Sequence, residues 1–572
     1  MEDKTKLYVG EKVFDSSSYQ ASIFDEIEHG VGNMVITAAA GSAKTTTIEN
    51  CLRFIPEEKR KIFLAFNVST VEKLKKEIPN TYGTTIVTFH GLGNRILREN
   101  GIIKEENCLV DDFKYARYAK LITLDKKDSL GVLYISYINN IISMINYARY
   151  YNAIRLRDIE KVADIYGILP IRDEFEVVRK SLIWGKEHTE IIDHTDMIWL
   201  PCELELVTKK YLYDFVFIDE AQDTTIAHQA LVDKCFKRGT RFIAVGDPRQ
   251  QINVWCGASE EAIDNYKNRP NTKEYKLPIS YRCPKKICEI AKKYSPDIIP
   301  TEWAEEGEIR YDVSANDARP GDLVLCRIMS ELLEQYMSYL RINKKAYLRG
   351  HDAVKSTYLD LIKSVNAKYI DSKCLTENGL VPQLYRLLLN RIETFSEMMG
   401  ISEDDAVYHP EIFNLYDSIE AIKVIAGGLV TVDELIDKIN IIFSGDDKDA
   451  IILSTVHKAK GQEADNVFIL SPSLMPCQIA TKAWEIASEE NLIYVAITRA
   501  HKTLNYIKEY ETGFFKHFAS SKGIRNKIIE IQNNINKKDV IEPQLPKAAI
   551  ELVKQSEKKK ESKLQFWNFA EE

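Results

Sequence analysis

The sequence lacks several features that would assign it to a special class of protein. It contains no run of 18 or more apolar residues, so we expect no membrane-spanning helix. Its opening stretch, MEDKTKLYVGEKVFD, has no apolar segment of the kind that marks a secretory signal. Its ten cysteines form no CxxC pair, and the closest two, Cys283 and Cys288, have no further ligand at zinc spacing. We therefore expect reduced cytosolic thiols, with neither disulfides nor a structural metal.

The chain also lacks the overall positive charge of many nucleic-acid-binding proteins. Its formal net charge is −8 over 572 residues. Because a basic groove can lie on an acidic body, this charge excludes no partner. With 45% hydrophobic and 28% charged residues, the composition is that of an ordinary globular protein. The length predicts about three or four domains.

Short β-branched runs recur along the chain, each followed by a turn and a helical stretch. The runs are Met34–Thr37, Lys61–Ala65, Phe215–Ile218, Arg241–Val245, Asp322–Leu325, Ile451–Thr455 and Val467–Leu470. Strands this short and apolar are typical of parallel sheets that helices cover on both faces. The runs fall into two clusters, 34–275 and 276–510, and therefore predict an α/β fold with two parallel-sheet domains.

Two long stretches have a helical pattern instead, and they divide these domains further. We predict a first domain from residues 1–100 and 196–275, interrupted by a helical insertion over 101–195. A second domain comprises residues 276–350 and 446–515, interrupted by a second helical insertion over 351–445. Residues 516–572 are predicted to form a helix and a Lys-rich tail.

The first chemical motif is VITAAAGSAKTTT, which runs from Val35 to Thr47. It resembles a phosphate-binding loop, in which backbone N–H groups surround the phosphates and a lysine reaches the β and γ oxygens. Ala38 and Ala43 occupy the two usual glycine positions, and Lys44 follows. If position 43 needs a positive φ, alanine there costs about 1 kcal/mol. The alternative is a small-residue helix start with a solvated lysine. The residues assigned to nucleotide binding in this loop are Ala38, Ala39, Ala40, Gly41, Ser42, Ala43, Lys44, Thr45 and Thr46.

The second motif is YDFVFIDEAQD, an apolar strand that ends in acidic residues. An acid at the carboxyl end of a strand beside a phosphate loop can hold Mg²⁺, and the next acid can act as a general base. We therefore assign Asp219 to Mg²⁺, together with Thr45, and Glu220 to base catalysis. The alternative is a solvated acidic turn, which the neighbouring phosphate loop disfavours.

Together with later motifs, these residues resemble superfamily 1A DNA helicases of the UvrD/PcrA/Rep type. The further motifs are KIFLAFN, TTIVTFHGL, VGDPRQQINVW, LPISYR, ILSTVHKAKGQEADNVFIL and NLIYVAITRAHKTL. The stretches FLAFN, DHTDMIWLP, DEAQDTT and GDPRQQI are most similar to the F-box DNA helicase branch, although no F-box precedes them here. The resemblance implies two RecA-like domains with ATP and Mg²⁺ bound between them.

The resemblance also implies roles for individual residues. Gln20 reads the adenine, Glu463 contacts the nucleotide sugar, and Gln250 senses the γ-phosphate. Arg282 and Arg499 stabilise the transferring phosphoryl group, a contribution worth about 10³–10⁵ in rate. For a lone arginine, an ordinary ion pair is the usual alternative.

Contacts to single-stranded DNA are implied for a further set of residues. Aromatic rings stack on bases for about 1–3 kcal/mol each without sequence preference. The implied set is Phe66, Asn67, Thr88, His90, Trp255, Thr455 and His457. A core position for Phe66, and satisfied interdomain positions for His90 and His457, are the alternatives. The chain departs from the family at Asn253, where an aromatic is usual, and at Cys256, where an arginine is usual.

The resemblance therefore implies an ATP-dependent helicase or translocase that moves 3′ to 5′ on single-stranded DNA and acts at single-strand/duplex junctions. A nucleotide-gated DNA-binding or scaffold protein with little unwinding is the alternative. A C-terminal contact to a clamp or single-strand-binding protein is a further hypothesis, beside that of a disordered, solubilising tail. We expect no membrane partner, and a location in the cytoplasm, nucleoid or nucleus, or in the host cytosol for a viral protein.

Overall fold

Two six-stranded parallel sheets organise the chain in its computed structural model. The structure describes residues 3–9, 12–78, 83–104, 109–130, 133–168, 170, 173–254, 257–259, 261–349, 351–370, 379–399, 402–407, 409–443, 449–477, 480 and 482–508. The predicted C-terminal helix and tail therefore lie outside the described residues, and so do Trp255 and Cys256.

The first sheet has the spatial order β10-β3-β9-β8-β4-β5, with every neighbouring pair parallel. Its strands are β3 (Asn33–Ala38), β4 (Lys61–Ala65), β5 (Thr84–Thr88), β8 (Tyr213–Ile218), β9 (Phe236–Gly246) and β10 (Thr272–Leu277). Met34 and Ile36 pack into one apolar cluster and Val35 into another. Since successive side chains of a strand point to opposite faces, helices cover both faces of this sheet.

The helices around the first sheet are mostly short. They are α1 (Ser18–His29), α2 (Lys44–Cys51), α3 (Val68–Glu77), α4 (Phe89–Glu99), α10 (His194–Glu203), α11 (Ile226–Asp233) and α12 (Ala262–Lys267). An antiparallel hairpin precedes them, formed by β1 (Lys6–Val9) and β2 (Lys12–Asp15).

The second sheet has the order β13-β18-β17-β14-β16-β15 and is also parallel. Its strands are β13 (Glu308–Val313), β14 (Leu323–Cys326), β15 (Ala346–Leu348), β16 (Ile451–Thr455), β17 (Ala464–Ile469) and β18 (Ala500–Ile507). The helices α13 (Lys285–Ala291), α14 (Met329–Arg341) and α20 (Ala483–Ile497) follow or precede these strands. A short parallel pair, β11 (Ile279–Ser280) and β12 (Ile299–Pro300), lies between the two sheets in sequence. The predicted α/β class with two parallel sheets is confirmed.

The stretches between the sheet strands are largely helical. Between α4 and α10 lie α5 (Lys114–Ile122), α6 (Lys127–Leu130), α7 (Leu133–Tyr150), α8 (Leu156–Tyr166) and α9 (Glu174–Glu187), with the two-residue strands β6 (Leu109–Val110) and β7 (Ile191–Ile192). Between β15 and β16 lie α15 (His351–Ser364), α16 (Leu380–Met399), α17 (Glu403–Val407), α18 (Pro410–Ala426) and α19 (Val432–Ile442). Tyr134 and Tyr137 of α7 are buried, so this Tyr-rich helix supplies the core of its insertion.

Two expected absences concern the described residues only. None of their helices is both long enough and apolar enough to cross a membrane. The seven described cysteines, Cys51, Cys202, Cys235, Cys283, Cys288, Cys326 and Cys477, are all free thiols.

A buried ion network attaches the first insertion to α10. The Arg149 guanidinium of α7 donates to both carboxylate oxygens of Asp193 at 2.7 Å and to Asp196 at 3.1 Å. The Lys114 ammonium of α5 donates to Asp196 at 2.8 Å, and the Tyr115 hydroxyl donates to the same carboxylate at 2.7 Å. Arg149, Lys114 and Asp196 are at most 2% exposed. Two buried cations thus balance two buried carboxylates.

We predict that Arg149→Met lowers the free energy of unfolding by about 3–5 kcal/mol, because it leaves a buried carboxylate without its cation. Equilibrium urea unfolding followed by circular dichroism measures the change. The control is Arg179→Met, which removes a half-exposed pair with Glu176 on α9 and should cost less than about 1 kcal/mol. Equal losses of unfolding free energy in the two variants would show that the buried network contributes no more to stability than an exposed ion pair.

Candidate active site

The turn after β3 brings the start of α2 to the carboxyl edge of the first sheet. In this turn Gly41 has φ +71° and Ala43, the residue before α2, has φ +58° and ψ +40°. The alanine therefore has the left-handed conformation for which the sequence predicts a cost of about 1 kcal/mol. The first N–H groups of a helix lack intrahelical partners, and such a helix start is suited to hold phosphate oxygens.

The small residues of this turn are buried and leave one polar atom without a partner. Ala38, Ala39 and Ala40 are at most 5% exposed, and Ser42 is 1% exposed. The Ser42 hydroxyl has no hydrogen-bond partner among the described residues. A buried hydroxyl without a partner fits a turn that receives a phosphate group.

Gly41 is the point at which this turn meets the second domain. A Cβ on Gly41 would lie 2.5 Å from the Cβ of Arg282 and 2.9 Å from the Ser280 hydroxyl. The Tyr281 N–H also donates to the Gly41 carbonyl at 2.9 Å. Only glycine permits so close an approach, so the turn lies on the boundary between the two domains.

Two carboxylates follow β8 and face the lysine and threonine that begin α2. The Thr45 hydroxyl donates to Asp219 Oδ2 at 3.0 Å. The Lys44 Nζ lies 3.9 Å from Glu220 Oε2. The turn thus presents a cation and helix N–H groups beside a pair of acids.

The two carboxyl groups have opposite pKa shifts. Burial and the neighbouring Glu220 raise the pKa of Asp219 to about 6. Burial would raise that of Glu220 as well, but Lys44, Lys460 and a hydrogen bond from Gln222 lower the pKa to about 2. Glu220 is therefore ionised at neutral pH, which a proton acceptor requires.

Asp219 and Thr45 also have the chemistry of a magnesium site. Mg²⁺ prefers hard oxygen ligands, and one carboxylate with one hydroxyl is a common protein contribution beside substrate phosphates. The raised pKa of Asp219 reflects buried negative charge, and a divalent cation would stabilise the ionised form of this group. Asp219 and Thr45 therefore fit a bound Mg²⁺ ion.

A chain of hydrogen bonds connects Glu220 to the end of β9. The Gln222 side-chain amide donates to Glu220 Oε2 at 2.6 Å, and its carbonyl oxygen accepts from the Asp247 N–H at 3.0 Å. The Gln250 side-chain amide donates to Asp247 Oδ2 at 2.6 Å. Gln250 is 5% exposed. These hydrogen bonds connect Gln250, the predicted phosphate sensor, to Glu220, the predicted base.

Two arginines of the second domain approach this group. Arg282 packs against Gly41 and forms an ion pair with Glu463. A hydrogen bond from His501, together with Arg282, lowers the pKa of Glu463 to about 2. Arg499 acts electrostatically on Glu220.

Arg499 is held as a buried cation by neutral acceptors. Its guanidinium donates to the carbonyls of Val495 at 2.9 Å and Gln462 at 3.3 Å, and to the Thr498 hydroxyl at 3.2 Å. Burial and the nearby Arg282 lower its pKa to about 10, so it remains charged at neutral pH. A buried cation beside another cation is suited to receive an anion between the domains.

Gln20 joins α1 to both domains. Its side-chain amide donates to the Thr47 hydroxyl at 3.0 Å, and its side-chain oxygen accepts from the Ser17 N–H at 2.9 Å and the Tyr281 hydroxyl at 3.2 Å. Ser17 caps α1, and Tyr281 is 39% exposed. The predicted adenine reader therefore lies next to an accessible ring of the second domain.

The predicted DNA contacts of the first domain form an aromatic cluster at the carboxyl edge of the sheet. The half-buried ring of Phe66 lies 5.0 Å from that of Phe89 and 5.4 Å from that of His228. The His90 ring lies 6.1 Å from that of His194 and 6.3 Å from that of His228. Burial lowers the pKa of His90. Phe66 and His90 thus have packing roles beside any role in DNA binding.

The other predicted DNA contacts vary in exposure. Asn67 is exposed just before α3, whereas the Thr88 hydroxyl caps α4 by accepting from the Gly91 N–H at 3.0 Å. Thr455 ends β16 and His457 follows the strand by two residues, and both are half-buried. Burial lowers the pKa of His457 to about 3. His457 is therefore neutral at physiological pH.

Two residues at the domain boundary have no place in the sequence-based site. The Tyr494 hydroxyl accepts from the Ala40 N–H at 2.9 Å. Lys460 forms an ion pair with Asp223 and donates to the Gln250 carbonyl at 2.9 Å. Tyr494 and Lys460 lie inside recognised motifs, but their partners are 454 and 237 residues away in sequence. Only the packed domains reveal these contacts.

Two family models match parts of this chain. Residues 20–271 match a family model described as the UvrD/REP helicase N-terminal domain. Residues 450–507 match a model described as the UvrD-like helicase C-terminal domain. The two matches contain all the site residues discussed above except those around Arg282.

Individual relatives are similar over part of their length. The chain is 25% identical over 309 residues to a probable DNA helicase II homolog of Mycoplasma pneumoniae, covering 49% of this chain and 41% of that protein. It is 25% identical over 346 residues to the ATP-dependent DNA helicase PcrA of Bacillus subtilis, covering 52% and 43%. It is 23% identical over 314 residues to the Gabija protein GajB of Bacillus cereus, covering 52% and 54%. The chain thus spans about half the length of the curated relatives that it matches.

We predict that Ala43→Gly raises the free energy of unfolding by roughly 0.5–1 kcal/mol, because it relieves the left-handed strain at a smaller entropic cost. Ala39→Gly in the same turn is the matched control. Ala39 is buried and is not among the residues with positive φ, so its loss should destabilise by about 1 kcal/mol. Thermal unfolding of both variants provides the measurement. If Ala43→Gly destabilises the protein, the alanine does not strain the turn.

Proposed function

The chain belongs to the UvrD/Rep family of superfamily 1 helicases, and we propose on this basis that it is an ATP-driven helicase or translocase on single-stranded DNA. The observation that carries the proposal is the convergence of two domains on one cleft. In the first domain, the Lys44 Nζ lies 3.9 Å from the Glu220 Oε2. Arg282 of the second domain packs against the same phosphate-binding turn.

In the proposed reaction, water attacks the γ-phosphate of ATP and Glu220 accepts its proton. Glu220 is ionised at neutral pH because cations around it lower its pKa, so its carboxylate can accept the proton. Gln250 lies within the same hydrogen-bonded unit and orients the water. Lys44 and the first N–H groups of α2 neutralise the phosphate oxygens.

The second domain completes the proposed site. Arg499 and Arg282 stabilise the charge that develops on the transferring phosphoryl group, as arginine fingers do. Asp219 and Thr45 would hold Mg²⁺, which supplies charge neutralisation at the β and γ oxygens. Gln20 reads the adenine and Glu463 contacts the ribose. Because its cations come from both domains, the site is complete only when the domains are close together.

Single-stranded DNA is the proposed track. Asn67 follows β4 by two residues, Thr88 ends β5, and Thr455 ends β16 of the second sheet. Segments at the carboxyl ends of parallel strands lie along one edge and are common ligand sites. Phe66 precedes Asn67, His90 lies in the first turn of α4 and His457 follows β16, and we include Trp255 from the family pattern. Single-strand/duplex junctions are the proposed substrates.

We predict that Glu220→Gln lowers the turnover of ATP by about 10²–10⁴-fold, because it removes the proton acceptor. An ATPase assay with and without single-stranded DNA measures the effect. The control is Glu274→Gln, an exposed carboxylate on β10 that pairs with Lys267. Turnover that is unchanged in Glu220→Gln, or a wild type that single-stranded DNA does not stimulate, would exclude the motor and favour a nucleotide-gated scaffold.

Movement is proposed to run from 3′ to 5′, as the family pattern implies. We predict that ATP displaces the duplex strand from a substrate with a 3′ single-stranded tail and not from one with a 5′ tail. A gel-based strand-displacement assay with both substrates and a blunt duplex distinguishes the directions. Displacement from the 5′-tailed substrate alone would reverse the assignment.

A further inference from the structure

The segment between β16 and β17 joins the two proposed functions of the second domain. It begins after Thr455, a proposed DNA contact, and ends at Glu463, a proposed nucleotide contact. Because β16 and β17 are both parallel to β14, this segment runs from the carboxyl edge of the sheet to its amino edge. Lys460 lies within it and contacts the first domain.

Lys460 makes two contacts across the domain boundary. Its ammonium forms an ion pair with Asp223, whose side chain is 8% exposed, and donates to the Gln250 carbonyl at 2.9 Å. Asp223 follows Glu220 by three residues, and its N–H donates to the Glu220 carbonyl at 2.9 Å. The Lys460 ammonium thus contacts the backbone of Gln250, the proposed phosphate sensor, directly. Through Asp223 it is also connected to the backbone of Glu220, the proposed base.

Asn253 holds the other side of Asp223. Its side-chain amide donates to Asp223 Oδ1 at 3.3 Å, while Lys460 occupies Oδ2. The polar side chain therefore faces inward toward the domain boundary and closes the network.

We propose that Asn253, Asp223 and Lys460 form an interdomain coupling bridge that transmits DNA binding to Gln250 and Glu220. Asn253 and Lys460 are positioning residues, since they act through Asp223 and the Gln250 backbone. The inference rests on the proposed function and deepens it. It predicts that the bridge controls DNA-stimulated turnover more than the affinity for ATP.

The first test is a double-mutant cycle in the full chain with Asp223→Asn and Lys460→Met. Each single variant should lower DNA-stimulated kcat by about 10–100-fold, as the loss of supporting contacts around a site does, with KM for ATP changed less than about threefold. The double variant should be about tenfold less impaired than the product of the two single effects. Additive effects, or a change confined to KM, would overturn the bridge.

Two variants separate this role from folding. Lys460→Arg keeps the charge and should retain most of the stimulated kcat, whereas Lys502→Met removes a half-exposed pair with Asp465 in the same domain and should change nothing. If Lys460→Arg loses as much DNA-stimulated kcat as Lys460→Met, the charge of Lys460 has no role in the bridge. Thermal unfolding of all variants confirms that they are folded.

A separate test of Asn253 changes the charge of its side chain and keeps the shape of that side chain. Asn253→Asp would place a second carboxylate beside Asp223, facing Lys460 and, further away, Glu220. Like charges raise the pKa of one member of such a pair, so the repulsion is present at high pH and lost as pH falls. Relative to Asn253→Ala, turnover of Asn253→Asp should be roughly fivefold lower at pH 8 and similar at pH 6. A ratio that does not change with pH would remove Asn253 from the bridge.

The outcomes also distinguish the inference from the proposed function. Wild-type turnover without stimulation by single-stranded DNA would exclude the motor, and the coupling role with it. Stimulated turnover that persists at full strength in Lys460→Met would leave the motor intact and exclude the bridge alone.

Discussion

The carboxylate pair at the end of β8 determines what must surround it. Asp219 is buried and the Glu220 side chain beside it is 35% exposed, and two adjacent acids in such a place require cations or hydrogen-bond donors. The first domain supplies Lys44, Thr45 and Gln222. The remaining positive charge comes from Lys460 and Arg499 of the second domain. The electrostatics of one strand end therefore make the two domains interdependent, as the proposed ATP-driven motor requires.

The conformation of the domain boundary is maintained by neutral contacts as well as by charge. Tyr494 accepts from the Ala40 N–H, Tyr281 donates through its N–H to the Gly41 carbonyl, and the Asn491 amide donates to the Gln251 carbonyl at 2.9 Å. Each of these bonds ends on the backbone of a loop that the family pattern assigns to ATP. A small displacement of the second domain therefore moves the phosphate-binding turn and the sensor loop together, because their backbone groups share the same partners.

Much of the fold was predictable because its signals are local. The seven apolar runs all coincide with sheet strands, and the switch to helical periodicity marks both stretches that interrupt the sheets. The motif placed Ala43 at a usual glycine position, which made a positive φ the condition for strain, and the structure meets that condition. The contacts of Lys460 and Tyr494 did not follow, since no periodicity encodes a pairing across hundreds of residues. The capping role of the Thr88 hydroxyl was likewise hidden, because a motif names a residue without stating which neighbours its polar group contacts. For Phe66 the sequence left a core position open as the alternative, and the structure shows the ring packed against Phe89 and His228.

Positions 41 and 43 of the phosphate-binding turn show why this chain tolerates an unusual motif. At position 43 the cost of alanine is a local backbone strain of about 1 kcal/mol, and the side chain is only half-buried. At position 41 a Cβ would lie 2.5 Å from the Cβ of Arg282, so any side chain there would force the domains apart. Gly41 is thus the residue on which the interdomain approach depends. Substitution at 43 changes the stability of the turn, whereas substitution at 41 changes the distance between Arg282 and the phosphate site, and only the second change reaches the proposed chemistry.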